Sequence, residues 1–298
     1  MHRGGPPKQD QPLPPGWSFK VHLQRISAFS ESGRGGNPAG VVLADVLPDE
    51  ATMQSVAAEV GYSETAFAAP GTDAWRVRYF SPLAEVPFCG HATIALGAAL
   101  AGRDGDGTYA LQLNQARIQV QAWHEDGQVL AALQSPPTRS QAPDPGLFAA
   151  AMDLFDLGPA ELDPRLPPTL MHAGADHLLL ALRDRHRLAR MAYSLEAGRR
   201  LMQDAGLTTI ALVVAETPRS FHARNAFAIG GVFEDPATGA AAAALGGALR
   251  DLGWPHGGAV EILQGHDMGA PSRLHVSIGP GSGESVRVSG ATHRIDAG

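Results

Sequence analysis

Apolar and polar residues alternate in short runs along most of this chain, and a few longer runs place apolar residues at helical spacing. A period of two predicts half-buried strands, and apolar residues three or four positions apart predict helices. The strand-like segments are 20–29, 39–43, 65–69, 75–80, 111–120, 129–133, 178–182, 210–215, 225–229, 260–263, 273–278 and 286–289. The helical segments are 48–60, 91–101, 148–155, 195–205 and 240–252. Short spacing between consecutive strands predicts an α+β protein whose strands are mostly antiparallel.

Residues 75–100 and 224–249 are similar in sequence and lie 149 positions apart, which is half of the chain length of 298 residues. The identical positions include Glu85, Pro87, Gly90 and 95–97 in the first copy, and Glu234, Pro236, Gly239 and 244–246 in the second. In each copy a predicted strand ends in a glycine-containing turn that opens a helix of small residues. Two such helix N-termini facing each other would bring free backbone N–H groups and positive dipole ends together, which favours a bound carboxylate.

The repeat extends upstream, where residues 59–67 match residues 204–212 at an offset of 145. In both copies a helix ends at a glycine, and a strand follows. Glu64 stands opposite Thr209, so the scaffold pattern itself does not require a carboxylate there. Chance similarity between segments rich in alanine and glycine is the alternative, but the length of the match favours duplication.

Composition limits the classes of function. The net charge of −7 argues against nucleic acid as a partner. Cys89 is the only cysteine, which excludes an internal disulfide and favours a reducing, cytoplasmic location. The longest apolar run, 239–249, is too short to cross a membrane. The composition predicts a disordered tail over residues 1–19 and two halves over residues 20–134 and 146–290. Residues 135–145, rich in proline, serine and glutamine, are predicted to form the linker between the halves.

Glu64 is the first candidate catalytic residue, because it precedes a mostly apolar strand. Burial there would raise its pKa toward the range useful for proton transfer. A glutamate on the solvent face of the strand is an equally good interpretation of the pattern alone.

His91 and Asp235 lie close to the starts of the two small-residue helices. An imidazole at the first start can contact an anion or pass a proton. Taken alone, His91 is better explained as a turn residue, and an aspartate before Pro236 is typical of helix capping.

Cys89 adjoins the same helix start as His91, where the pKa of a thiol falls and a thiolate becomes reactive. A racemase with two bases would need a second thiol on the opposite face of the substrate. The chain has no other cysteine, and residues 236–238 offer no base. Cys89 is therefore interpreted as a small residue that lines the site.

No metal or cofactor is expected from the sequence. None of the twelve histidines occurs at the H-x-x-x-H or H-E-x-x-H spacing with which a helix binds zinc. Residues 104–108 imitate a calcium loop, but Gln115 stands where such a loop needs glutamate.

Five motifs occur in a specific order: GNPAGV at 36–41, SETAF at 63–67, FCGHAT at 88–93, DPATG at 235–239 and QGHDMGxPS at 264–272. With them the chain, over residues 20 to 290, resembles the PhzF family of phenazine-biosynthesis isomerases, which share the fold of diaminopimelate epimerase. The resemblance implies two pseudo-symmetric α+β halves, each a barrel-like, mostly antiparallel sheet around a central helix, with the site in the cleft between them.

The resemblance also implies roles for single residues. Glu64 would be the acid/base, and His91 and Asp235 would complete the catalytic set. The residues implied to bind substrate are Asn37, Ser63, Cys89, Gly90, Gly239 and Ala240. The backbone of the 235–239 turn would hold the carboxylate of a small metabolite, without cofactor or metal, and family members are usually homodimers.

Two positions depart from the phenazine enzymes of the family. Ala240 stands where they generally have serine, and Ala92 where they tend to have proline. One hydroxyl that would face the substrate is therefore missing. The sequence predicts a cofactor-independent isomerase acting on a small carboxylate-bearing substrate. A racemase or epimerase, and a binding protein without catalysis, are the alternatives.

Overall fold

Strands dominate the computed structural model, which describes residues 22–295. The predicted tail, residues 1–19, lies outside the described residues. The strands that precede the middle of the chain are β1 (His22–Ser30), β2 (Asn37–Leu43), β3 (Thr65–Pro70), β4 (Trp75–Phe80), β5 (Glu85–Val86), β6 (Gly107–Gln112), β7 (Arg117–Glu125) and β8 (Gln128–Pro137). The later strands are β9 (Arg139–Gln141), β10 (Thr169–His172), β11 (Asp176–Ala181), β12 (Thr209–Thr217), β13 (Ser220–Ala226), β14 (Glu234–Asp235), β15 (Ala259–Gln264), β16 (Ser272–Ser277) and β17 (Ser285–Arg294). The helices are α1 (Glu50–Val60), α2 (Gly90–Asp104), α3 (Pro145–Leu154), α4 (Arg185–Ala189), α5 (Leu195–Ala205) and α6 (Gly239–Asp251).

The order of strand pairing is the same in the two halves of the molecule. From β2 onward, the successive pairs β2–β3, β3–β4, β4–β6 and β6–β7 are parallel, antiparallel, parallel and antiparallel. From β11 onward, the pairs β11–β12, β12–β13, β13–β15 and β15–β16 repeat that order. Most remaining pairs are antiparallel, so the predicted α+β class with two pseudo-symmetric halves is confirmed.

Strand β17 belongs to both halves. Along one edge it pairs with β8, and along the other it pairs first with β16 and then with β1. The ring β1–β2–β3–β4–β6–β7–β8–β17 is thereby closed and has no free edge. In the second half, β9 pairs with β10, while the start of β17 pairs with β16. The two barrels are thus joined through backbone hydrogen bonds.

A helix of small residues fills each barrel: α2 the first and α6 the second. Both are buried over most of their length. At Gly97 in α2 a side-chain Cβ would come 2.7 Å from a methyl group of Val120, and at Gly246 in α6 it would come 2.7 Å from Val276. Glycine is required at these matching positions because the helix backbone lies against the barrel wall.

Several boundaries differ from the sequence prediction. Residues 135–145, predicted as a linker, instead carry the end of β8 and all of β9, because their backbone pairs with β17 and β10. The predicted strand 111–120 is two strands separated by a turn, which the bond from the Leu113 amide to the Ala116 carbonyl closes. The predicted strand 225–229 ends at Ala226, because residues 228–230 form a short 3₁₀ turn.

Among residues 22–295, no helix is long and apolar enough to cross a membrane.

Candidate active site

The predicted catalytic residues come from different elements and meet where the two halves adjoin. Glu64 immediately precedes β3, Cys89 is the N-cap of α2, and His91 lies in its first turn. Asp235 ends β14, just before α6. Asn37 opens β2 and reaches across the halves, donating from Nδ2 to Oδ1 of Asp235 at 2.8 Å.

Glu64, Cys89 and His91 form one compact cluster. The Cys89 Sγ lies 3.5 Å from Oε2 of Glu64 and 3.3 Å from Nδ1 of His91. The Nε2 of His91 lies 3.4 Å from the same Glu64 oxygen and 3.3 Å from the Ser63 hydroxyl. The Glu64 side chain is 19% exposed and that of His91 is 9% exposed, so the cluster is reached from the glutamate side. Four of the predicted site residues are therefore brought together.

Cys89 is a neutral thiol in this environment. Burial raises the pKa of the Cys89 thiol well above its usual range, and the neighbouring Glu64 carboxylate raises it further. Both effects outweigh the helix N-terminus, which would otherwise favour a thiolate. The thiol consequently donates its hydrogen toward Glu64.

Asp235 is held from both sides by hydrogen-bond donors. The Thr238 hydroxyl donates to its Oδ2 at 2.6 Å, while Asn37 donates to its Oδ1 and also to the Ala237 carbonyl at 3.0 Å. Burial nevertheless raises the pKa of the Asp235 carboxyl, although the His91 imidazole and the Thr238 hydrogen bond lower it. Asp235 is thus a carboxyl group kept rigid and poorly solvated.

The N-termini of α2 and α6 are open to an anion. Neither N-cap side chain, Cys89 or Thr238, makes a capping hydrogen bond to its helix. Gly90 and Gly239 begin the two helices and are half-buried. No atom lies within 4 Å of a Cβ built at Gly90, whereas at Gly239 the nearest is a ring atom of buried Phe29 at 3.4 Å. The backbone N–H groups of these first turns therefore suit a carboxylate.

Gln264 is a site residue that the sequence analysis does not single out, although it begins the fifth motif. Its Nε2 donates to the Asp235 carbonyl at 2.7 Å and to the Thr238 hydroxyl at 3.0 Å. Its Oε1 accepts from the Thr238 amide at 3.2 Å and from Asn225 at 3.1 Å. Gln264 is almost completely buried and fixes the turn that leads into α6.

The place of Glu64 is taken in the second half by Thr209. Glu64 and Thr209 each lie one residue before a position that is paired with a parallel strand. Between β2 and β3, Gly40 pairs with Thr65, and between β11 and β12, Leu178 pairs with Ile210. The Thr209 hydroxyl donates to Oδ1 of Asn225 at 3.3 Å and lies 2.8 Å from Nδ1 of His177. The second half thus has a buried hydroxyl where the first has a carboxylate.

Comparison with known proteins places this fold in a class. A probable proline racemase from Agrobacterium radiobacter K84 shares the fold, with a TM-score of 0.60 at 12% identity over 93% of this chain and 92% of that one. A predicted epimerase from Pseudomonas aeruginosa matches with a TM-score of 0.78 at 25% identity, over 94% and 98%. The molecule is therefore of the two-barrel fold that such racemases and epimerases share.

Within that class, the model of the PhzC-PhzF family, phenazine biosynthesis-like protein, matches residues 26–297, and the chain belongs to this family. The trans-2,3-dihydro-3-hydroxyanthranilate isomerase of Pseudomonas aeruginosa is 31% identical over 89% of this chain and 94% of that protein. The uncharacterised isomerase YddE of Escherichia coli O157:H7 is 28% identical over 92% and 96%. The protein is an isomerase of this family.

Proposed function

We propose that this protein is a cofactor-independent isomerase in which Glu64 moves a proton between two positions of a small carboxylate-bearing metabolite. The chemistry would be of the type catalysed by trans-2,3-dihydro-3-hydroxyanthranilate isomerase. The observation that carries the proposal is the position of Glu64: a half-buried carboxylate in contact with a thiol and an imidazole, beside open helix N-termini.

The first step is substrate binding. The substrate carboxylate accepts hydrogen bonds from the backbone N–H groups around Gly239 and Ala240, where the helix dipole adds to the attraction. Asp235 and His91 contact the amino or hydroxyl group of the substrate and orient the reacting carbon toward Glu64. Asn37, Thr238 and Gln264 hold Asp235 in place through the hydrogen bonds described above.

The second step is proton transfer. The Glu64 carboxylate removes a proton from a carbon next to an unsaturated or carboxylate-bearing centre, and then returns it to another carbon on the same face. The charge that develops on the substrate is stabilised by the N–H groups of the α6 N-terminus. A positioned acid/base of this kind contributes roughly 10² to 10⁴ in rate.

A racemase with two bases is less compatible with the same site. Thr238 is the N-cap of α6, as Cys89 is of α2, so it occupies the place of a second catalytic thiol. Its hydroxyl donates to Asp235 and is far too weak a base to deprotonate carbon. The Cys89 thiol is itself protonated for the reasons given above. A substrate with one reacting face is therefore favoured.

The residue at position 240 bears on which substrates the site would accept. Ala240 offers no hydroxyl, so the substrate need not carry the group that a serine would bind. The resemblance to the PhzF family supports a homodimer, and the single cysteine supports a reducing, cytoplasmic location.

The proposal is tested with a metabolite extract. Purified wild type and Glu64→Gln are incubated separately with the extract, and isomers are separated by chromatography before mass analysis. An isomerase converts a compound into a product of equal mass and different retention, and only the wild type should do so. Equal conversion by both proteins, or a product of different mass, would overturn the proposal.

A further inference from the structure

The same arginine–glutamate pair occurs in both halves of the molecule. In the first half, Arg78 stands two residues before the position of β4 that pairs with Glu85 of β5. In the second half, Arg224 stands two residues before the position of β13 that pairs with Glu234 of β14. The two pairs therefore have the same diagonal place in the duplicated structure, although the ungapped sequence match does not align the two arginines.

Each arginine binds both oxygens of its glutamate and also contacts a neighbouring helix. Arg78 donates from Nε and Nη2 to the Glu85 carboxylate at 2.7 and 2.6 Å, and from Nη2 to a carboxylate at the start of α1. Arg224 donates from Nε and Nη2 to the Glu234 carboxylate, and from Nη1 at 2.8 Å to the carbonyl of Ala189, the last residue of α4. A planar guanidinium that makes two parallel bonds fixes orientation as well as distance, which a lysine cannot do.

The residue that follows each glutamate differs between the halves. It is Val86 in the first half and Asp235 in the second, and β5 and β14 each consist only of the glutamate and this neighbour. Side chains alternate between the two faces of a strand, so a glutamate held on one face directs its neighbour to the other. In the second half that neighbour is a predicted catalytic carboxyl, which receives hydrogen bonds from Asn37 and Thr238 on its own face.

The pair in the second half is also the more buried one. The side chains of Arg224 and Glu234 are 8% and 6% exposed, whereas those of Arg78 and Glu85 are 18% and 24% exposed. Removing two charges from water costs about as much free energy as their attraction recovers, so a buried pair contributes little net stability. Its effect here is geometric, because the backbone pairing of β14 with β13 covers only two positions.

We propose that Arg224 is a positioning residue for Asp235. By holding Glu234 against α4, it fixes the direction in which the Asp235 carboxyl meets the amino or hydroxyl group of the substrate. Arg224 does not itself contact the substrate, since its donors face Glu234 and α4. This role rests on the proposed function, in which Asp235 binds that part of the substrate. Arg78 provides a matched control, because the residue beside its glutamate is Val86, which offers no hydrogen bond.

The test uses two ligands, anthranilate and benzoate, which differ by one amino group and whose affinities are measured by calorimetry. Wild type should bind anthranilate roughly 10-fold more tightly, because the amino group donates to the Asp235 carboxyl. Asp235→Ala should abolish this preference, and Arg224→Lys should lose most of it, whereas Arg78→Lys should keep it. Both ligands carry the same carboxylate, so a general loosening of the site changes both affinities and leaves their ratio unchanged.

Thermal unfolding shows whether each variant is folded. If Arg224→Lys does not fold, Glu234→Gln takes its place with Glu85→Gln as control, because glutamine keeps the shape of glutamate but accepts only one of the two bonds. A preference that Asp235→Ala lacks but Arg224→Lys retains, or that Arg78→Lys loses equally, would overturn the positioning role alone. A preference that is absent from wild type, or that survives in Asp235→Ala, would also refute the binding role of Asp235 in the proposed function.

Discussion

At the scale of single residues, duplicated positions carry different chemistry in the two halves. Glu64 faces the site, whereas its counterpart Thr209 lies buried beside His177. Cys89 is the N-cap of α2, whereas Thr238 is the N-cap of α6. The two halves share one fold with different residues at these places, so the duplicated pattern itself does not call for a carboxylate or a thiol. Under the proposed function, this asymmetry gives the cleft one acid/base and one reacting face.

Cys89→Ala is predicted to cost little activity. The thiol is neutral and only donates toward Glu64, and alanine fits among the small residues at this helix start. Turnover of the compound found by the extract screen should stay within about one order of magnitude of wild type, far above Glu64→Gln. A folded Cys89→Ala protein as inactive as Glu64→Gln would instead indicate an epimerase that uses the thiol as a second catalytic group.

His177 is predicted to make stability depend on pH. Burial lowers the pKa of this fully buried histidine to about 4, from an ordinary value of 6.5. Between these values the unfolded chain binds a proton that the folded chain does not, so this stability is complete above pH 6.5 and is lost as the pH falls toward 4. The loss between pH 7 and pH 5 should be about 2 kcal/mol.

Urea unfolding at the two pH values measures this loss. His177→Asn keeps a donor toward Thr209 and removes the titrating group. It should therefore reduce the difference in unfolding free energy between the two pH values by about 2 kcal/mol. His186→Gln, at an exposed position, serves as the control and should leave that difference unchanged. An unchanged pH dependence in His177→Asn would show that another group is responsible.

Much of the candidate site could be predicted from the sequence, because the five motifs contain Glu64, His91 and Asp235 and the family resemblance that they carry implies roles for them. Gln264, Asn225 and His177 were not singled out. Their hydrogen bonds join residues far apart in sequence, such as Gln264 and Asp235, and depend on how β13 and β15 pair. Local patterns contain no signal for such a network.

At the scale of elements, the two similar segments differ by an insertion that the ungapped sequence match does not show. Four residues, 81–84, connect β4 to β5, whereas seven, 227–233, connect β13 to β14. The ungapped match of 75–80 with 224–229 is therefore wrong for these strands, although it holds from Glu85 and Glu234 onward. The extra residues form the 3₁₀ turn at 228–230, which is why the predicted strand over 225–229 ends early.

The helix-in-barrel packing leads to a prediction about glycine. Gly97→Ala should destabilise the protein by roughly 1–3 kcal/mol, because its Cβ would overlap the Val120 methyl group. Gly102→Ala in the same helix meets no atom within 4 Å and should stabilise by roughly 0.5–1 kcal/mol through helix propensity. Chemical denaturation measures both. Equal effects of the two substitutions would contradict the packing described for α2.

At the scale of the whole molecule, β17 makes the first barrel dependent on the end of the second half. The division into 20–134 and 146–290 stays a prediction, and the pairing of β17 with β1 and β8 crosses it. A chain of residues 20–134 alone would leave both strands with unpaired edges. We expect it to show no cooperative unfolding transition by circular dichroism, whereas the full chain should show one. A sharp transition in the fragment would mean that the first half folds independently.

The position of the site between the two barrels has a functional consequence. Asn37 from the first half holds Asp235 of the second, so this contact exists only when the halves are joined. Under the proposed function, Glu64 on the first half would act on a substrate whose carboxylate is held by the second.

The most direct test of this account is the turnover of Glu64→Gln relative to wild type, on the compound that the extract screen identifies. Glutamine keeps the size and the hydrogen-bonding oxygen of glutamate but cannot take up a proton. We predict a loss on the order of 10²-fold or more, with the fold and the affinity for a small aromatic carboxylate retained. A folded Glu64→Gln protein with a rate near that of wild type would contradict the assignment of Glu64 as the acid/base.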